Sequence, residues 1–157
     1  MLFTLTLHRQ MLDIIRAERE HLKDVVPLFD SYRVFYGQKS NEEAALEFIT
    51  DRFLNDESII LMAYVEKQAV GFVQLYTTFS SVSMQSSYIL NDLYVSENHR
   101  KRGVGEALLE KAKELCKENG SKGLALETAK DNPAQSLYEK LGWEKDSDYF
   151  HYFWKSV

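Results

Sequence analysis

The chain has one cysteine, two prolines and four histidines in 157 residues. Cys116, being alone, excludes an intrachain disulfide framework and fits a reducing, cytoplasmic setting. It falls on the inward stripe of an amphipathic segment, which reads as a buried thiol rather than a nucleophile. His8, His21, His99 and His151 share no metal-ligand spacing, so no metal is expected. The longest apolar run, residues 59–65, is far too short to span a bilayer. Residues 1–7 are apolar but lack a preceding basic residue and a small-residue cleavage site, so they do not read as a signal peptide. Residues 1–12 are expected to be an N-terminal extension, either an extra edge strand or a leader before a start at Met11. Repeats, low-complexity tracts and linkers are missing too, and residues 13–157 read as a single domain.

Apolar residues make up 45% of the chain, enough for a core, and charged residues 27%. The net charge of −5 argues against nucleic acid as a partner and suits a cationic amine by long-range attraction.

Hydrophobic spacing orders the elements. Residues 13–18 alternate as a first strand. Residues 21–36 carry Leu22, Val25, Val26, Phe29, Tyr32 and Phe35 at helical spacing, with Pro27 set to kink the helix and Gly37 to stop it. Asn41 begins a second helix, with Glu42 and Glu43 in its first turn, ending near Asn55. Residues 58–65 and 69–79 read as a hairpin about a polar turn at 66–68, and 88–95 as the next strand. An amphipathic helix follows, striped by Val104, Leu108, Ala112 and Leu115 and closed at Gly120. Residues 123–128 read as another strand. Asn132 and Pro133 then cap and open a helix that Gly142 ends. Residues 143–145 and 149–154 read as short aromatic strands.

Between the strand ending at Val95 and the amphipathic helix lies His99-Arg100-Lys101-Arg102-Gly103-Val104-Gly105. Unpartnered N–H groups and the helix dipole favour an anion at such a junction, and glycines let the backbone approach it. The string therefore describes a phosphate cradle. It is not a P-loop, since no Gly-x-x-x-x-Gly-Lys-Ser/Thr occurs, nor a dinucleotide fingerprint, since Leu108 stands where a small residue is needed.

Arg100-x-x-Gly103-x-Gly105, after Asn91-Asp92-Leu93-Tyr94-Val95, resembles the acetyl-CoA loop of the GNAT superfamily of N-acetyltransferases. Asn132-Pro133-Ala134-Gln135-Ser136-Leu137-Tyr138-Glu139-Lys140-Leu141-Gly142-Trp143 is similar to a second signature of that superfamily. Phe29-Asp30-Ser31-Tyr32-Arg33-Val34-Phe35-Tyr36-Gly37 looks like the first-helix string of its branch related to histone and polyamine acetyltransferases. The resemblance covers nearly the whole chain from Asp13. It implies an α/β fold of order β-α-α-β-β-β-α-β-α-β-β, with a mixed, mostly antiparallel sheet and a splayed central strand pair. The implied activity is acetyl transfer from acetyl-CoA, as co-substrate, to a primary amine of a small molecule or a peptide. A non-catalytic acyl-CoA-binding regulatory module is the alternative.

The resemblance also implies residue roles. Arg100, Lys101, Arg102, Gly103, Val104, Gly105 and Glu106 would hold the pyrophosphate. Leu93, Tyr94 and Val95 would pair with the pantetheine arm as with a substitute strand, and a bulge in their strand would aim an N–H at the thioester. Asn132, Ser136 and Tyr138 belong to the second signature, with Tyr138 in the position of the general acid. A phenol and a thiol differ by only one or two pKa units, so that proton passes cheaply. The diamine branch has a Glu where Asn91 stands, which weakens a polyamine assignment; Asp92 or Glu127 is left as the base. Tyr32, Arg33 and Tyr36 would shape the acceptor pocket. The aromatic run at 149–154 either packs in the core or forms a dimer seam, and a homodimer is the reading preferred.

Overall fold

Alternation over residues 58–80 folds back on itself as a two-residue hairpin. Strand β2, Ser58–Val65, pairs antiparallel with β3, Gln68–Ser80, closing at Val65↔Gln68. Glu66 and Lys67 between them have φ of 50° and 67°. Two left-handed residues give the turn whose twist matches that of the flanking strands. Strand β1, Leu12–Arg16, pairs with the outer edge of β2, and β4, Gln85–Val95, with β3. Strand β5, Leu124–Ala125, runs parallel to β4, giving the order β1-β2-β3-β4-β5 among the described residues. The computed structural model describes residues 11–156; of the extension expected over residues 1–12, residues 1–10 lie outside the described residues and Leu12 belongs to β1. Two compact units divide the chain after Glu127.

In the first unit, helices cover both faces of the sheet. Helix α1, Leu22–Phe35, continues through Pro27. It ends in a Schellman motif: Gly37 N–H donates to Val34 O at 2.9 Å and Gln38 N–H to Arg33 O at 3.0 Å, with Gly37 at φ 81°. Helix α2, Glu42–Leu54, is capped by Asn41, whose side chain accepts from Ala44 N–H at 3.0 Å. Val25, Phe29, Ala45 and Ile49 from these helices bury Ile60, Met62 and Phe72 of the sheet. Helix α3, Val104–Glu118, presents Val104, Leu108, Leu109, Ala112, Leu115 and Cys116 as its buried stripe, and Leu108 approaches β3 beside Gly71.

Gly71 marks the tightest approach in the sheet. A Cβ there would lie 2.8 Å from the Tyr94 carbonyl oxygen, inside van der Waals contact with backbone. Gly71→Ala is therefore expected to cost ~1–3 kcal/mol, the usual range for overpacking. A urea melt checks it, and an unchanged midpoint would contradict the close approach.

The second unit contains helix α4, Gln135–Lys140. It starts later than Asn132-Pro133 predicts. Asn132 Oδ1 accepts from Ala134 N–H at 2.9 Å, which shapes a turn before the helix rather than capping its first residue. The two aromatic strands expected after it are not formed: residues 143–156 contain no strand. Tyr149, Phe150, Tyr152, Phe153 and Trp154 are all exposed. Strand propensity expresses packing against a neighbouring strand, and this segment has no ladder partner among the described residues.

Candidate active site

One register shift builds the site. Along β3 and β4 the pairs run Gln74↔Asp92 and then Leu75↔Leu90, so Asn91 is an extra residue opposite nothing. Such a bulge bends the strand and breaks its alternation. Asn91 and Asp92, neighbours in sequence, consequently both line the same cleft. The cleft has a volume of about 480 Å³ and lies between α1, α2 and the sheet, walled by Phe29, Tyr32, Tyr36, Phe48 and Tyr76. Tyr32, Arg33 and Tyr36, the residues expected to shape an acceptor pocket, are all in its lining.

Asp92 is buried at the floor, only 3% exposed. Its Oδ2 accepts from Gln74 Nε2 at 2.6 Å and its Oδ1 from Asn91 Nδ2 at 3.0 Å. Burial raises its pKa above the ordinary carboxylate range, and hydrogen bonds from Gln74, Tyr32 and Asn91 oppose that rise. The Tyr32 hydroxyl also reaches the Asn91 carbonyl at 3.4 Å. Gln74 is fully buried, and its Oε1 has no hydrogen-bond partner among the described residues. Tyr76 is pushed up to about 12 by burial and by the nearby charge of Asp92, so its phenol stays protonated.

A second buried carboxylate supports the cleft wall. Asp30 Oδ1 accepts from Asn41 N–H at 2.9 Å and Arg33 at 3.1 Å, while Oδ2 accepts from Ser40 Oγ at 2.6 Å. It thus ties the end of α1 to the cap of α2. The Asn41 N–H, then Ser40 and Arg33, hold its pKa below the usual value against the effect of burial. A carboxyl with a lowered folded pKa stabilises above its unfolded pKa, and that contribution is lost as pH falls through the folded value. Asp30→Ala is expected to cost ~2–3 kcal/mol at pH 7, because it strands buried donors. At pH 3 the difference from wild type should shrink, and denaturant melts at the two pH values would show it. An equal cost at both would exclude the charged network.

The glycine junction follows the sequence closely. Gly103 has φ 82° and precedes α3, whose first turn no side chain caps. A Cβ on Gly103 would meet nothing within 4 Å, so the approach to the helix start is open. Lys101 and Arg102 are exposed beside it, and Val104 is buried in the helix stripe. Gly105 and Glu106 occupy the first turn. Arg100 does something else: its Nε donates to the Val95 carbonyl at 2.9 Å, and its guanidinium lies over Tyr94 and Phe35.

The splay is visible in the ladder. β4 meets β5 only at Tyr88↔Leu124 and Ile89↔Ala125. Ser96 N–H donates to Val70 O at 2.8 Å, so by antiparallel alternation Tyr94 also points its main chain at β3. The main-chain groups of Leu93 and Val95 then face the outer edge, beyond the end of β5. Glu127 is exposed past that end and does not line the cleft. In the second unit, Tyr138 sits on α4 with its ring 6.0 Å from that of Trp143, Asn132 shapes the turn before the helix, and Ser136 Oγ donates to the Pro133 carbonyl at 3.0 Å. Gln74, Tyr76 and Asp30 are the site residues that sequence reading missed. The available signal was a glutamine inside the apolar run at residues 70–75.

An open glycine junction before an uncapped helix, next to a strand freed from its parallel neighbour, fits an elongated ligand with a phosphate end and an amide arm. Comparison with known proteins agrees. The profile of the Acetyltransferase (GNAT) family matches residues 24–143. An uncharacterized N-acetyltransferase of Bacillus subtilis, YhfO, is 44% identical over 90% of this chain and 95% of its own. The crystal structure of a probable acetyltransferase superposes with a TM-score of 0.88 at 36% identity, covering 92% of this chain and 98% of that one. An aminoglycoside N-acetyltransferase in complex with CoA shares the fold at a TM-score of 0.78 and 19% identity, over 97% and 100% of the two chains. The matched profile takes in the bulged strand, the glycine junction and the helix bearing Tyr138 together, and the chain belongs to the GNAT family as an acetyl-CoA-dependent N-acetyltransferase.

Proposed function

We propose that the cleft between α1, α2 and the sheet binds a primary amine and that Asp92 removes its proton during acetyl transfer. The observation that carries this is the buried carboxylate of raised pKa on the cleft floor, with the bulged Asn91 hydrogen-bonded beside it. A carboxylate in such a site is a better base at neutral pH than an ordinary one. Bound acetyl-CoA would supply the activated acyl group. Lys101, Arg102 and the N–H groups from Gly103 to Glu106 would hold its diphosphate, and the outer main-chain edge of Leu93 and Val95 its amide arm. The amine attacks in its neutral form, its ammonium proton having passed to water; as its nitrogen bonds to the acyl carbon, its remaining N–H becomes acidic and Asp92 takes that proton. Tyr138 gives a proton to the departing sulfur as the C–S bond breaks. The products are an amide and a free thiol.

Two measurements test the reading. Calorimetry with coenzyme A should show uptake that Gly103→Val weakens. Thiol release from acetyl-CoA, screened over small amines and peptides, should show turnover. Uptake without release for any acceptor would favour a non-catalytic acyl-CoA-binding module instead.

A cytoplasmic setting and a homodimer belong to the same proposal. No helix among the described residues is long and apolar enough to cross a membrane, and Cys116 is a free, buried thiol. The exposed rings at residues 149–154 suit a partner surface. A monomer by light scattering at micromolar concentration would remove the dimer.

A further inference from the structure

We infer that the amine taken by this cleft carries a single positive charge on an aromatic body, and that polyamines and aminoglycosides are poor acceptors. The inference rests on the cleft being the acceptor site. Its physical basis is the count and placement of charge. Among the described residues, Asp92 is the only carboxylate in the lining. The other charged lining residue, Arg33, is paired with Asp30, and Arg52, whose guanidinium lies 4.9 Å over the ring of Phe48, is paired with Glu57. The floor therefore carries a negative charge, while the arginines at the rim are already matched by carboxylates of their own. One ammonium finds its counter-ion at Asp92. A second ammonium on the same molecule would find no further carboxylate in that lining, and a buried charge needs a partner.

The walls supply the complementary half. Phe29 and Phe48 stack with centroids 5.7 Å apart and planes 5° from parallel. Tyr32 and Tyr36 meet edge to face at 5.0 Å. Tyr36 is 53% exposed and Phe48 40%, large apolar areas for side chains at a cleft mouth. A ring on the acceptor would cover both and complete these edge and face contacts. A sugar-based or polymethylene polycation would desolvate them without replacing the aromatic contact.

The test compares kcat/KM for 2-phenylethylamine, butylamine, spermidine and kanamycin, read as thiol release from acetyl-CoA. Phenylethylamine should exceed spermidine and kanamycin by about tenfold or more. Tyr36→Ala should lower the phenylethylamine value by about tenfold and the butylamine value by less than about threefold. Preference for spermidine or kanamycin would overturn the inference while leaving acetyl transfer in place. Equal losses for the aryl and alkyl amines would overturn the role of the aromatic walls. Turnover of none of the four, with coenzyme A still bound, would sink the inference together with the acceptor-site reading beneath it.

Discussion

Asp92→Asn is expected to lower kcat by ~10²–10⁴, the range typical of a lost general base, while leaving the protein at least as stable as wild type. The two halves of this expectation have one cause. Burial makes the charged form of Asp92 unfavourable, which is why its pKa is raised. The unfolded chain releases the proton near pH 3.9, as an ordinary Asp does, and the folded chain releases it at higher pH. Between these values the native state holds a proton that the unfolded state has lost. Stability therefore falls as pH rises through that window and stays lower above it. The asparagine variant carries no such penalty. It also keeps its hydrogen bonds: the unpaired Oε1 of Gln74 can turn to accept from the new amide, where its Nε2 now donates to the carboxylate. Thermal melts from pH 4 to 8 should show wild type losing ground to the variant. The kcat/KM profile of wild type should show an acid limb above the usual carboxylate range. A variant that is active, or markedly less stable at pH 8, would remove Asp92 as the base.

The same residue shows how far the sequence could be read. Strand alternation assigns Asp92 and Tyr94 to one face and Asn91 to the other. The first half holds, since Phe72 pairs with Tyr94 and Gln74 with Asp92 on the α1 side. The bulge breaks the second half by turning Asn91 into the cleft beside Asp92. A bulge inserts a residue without any composition of its own, so its position is set by register between two strands and not by the local string. Gly37, Asn41 and Gly103 were legible for the opposite reason. Each acts through its own backbone conformation or its own short side chain, and each stands at the boundary it predicts.

Long-range polar partners were hidden. Asp30 sits in an otherwise ordinary helix string, and only the fold brings Ser40 and Asn41 to its oxygens. Gln74 is wholly buried because helices cover both faces of β3, a covering that its own string does not show. The aromatic run at residues 149–154 misled in the other direction. Its composition suits a strand, but a strand is a property of two segments, and the second one is not supplied among the described residues.

Tyr138→Phe carries the other large effect: kcat lower by about 10²-fold, the smaller end of what a general acid contributes, with coenzyme A affinity unchanged. The substitution removes one oxygen and leaves the ring, so the packing against Trp143 at 6.0 Å persists and α4 keeps its place in its unit. A hydroxyl that only stabilised the helix would show its loss in the melting temperature and leave turnover alone. A hydroxyl that protonates the leaving thiolate must do the reverse. Phenols and thiols as classes are of comparable acidity, so a proton passes between them cheaply. The loss of turnover should accordingly appear with the melting temperature unchanged. Calorimetry with coenzyme A separates binding from chemistry in the same protein. If turnover in Tyr138→Phe matched wild type across the pH range, the sulfur would have to leave as the free thiolate or take its proton from water. The acid role of Tyr138 would then be lost without disturbing the assignment of Asp92.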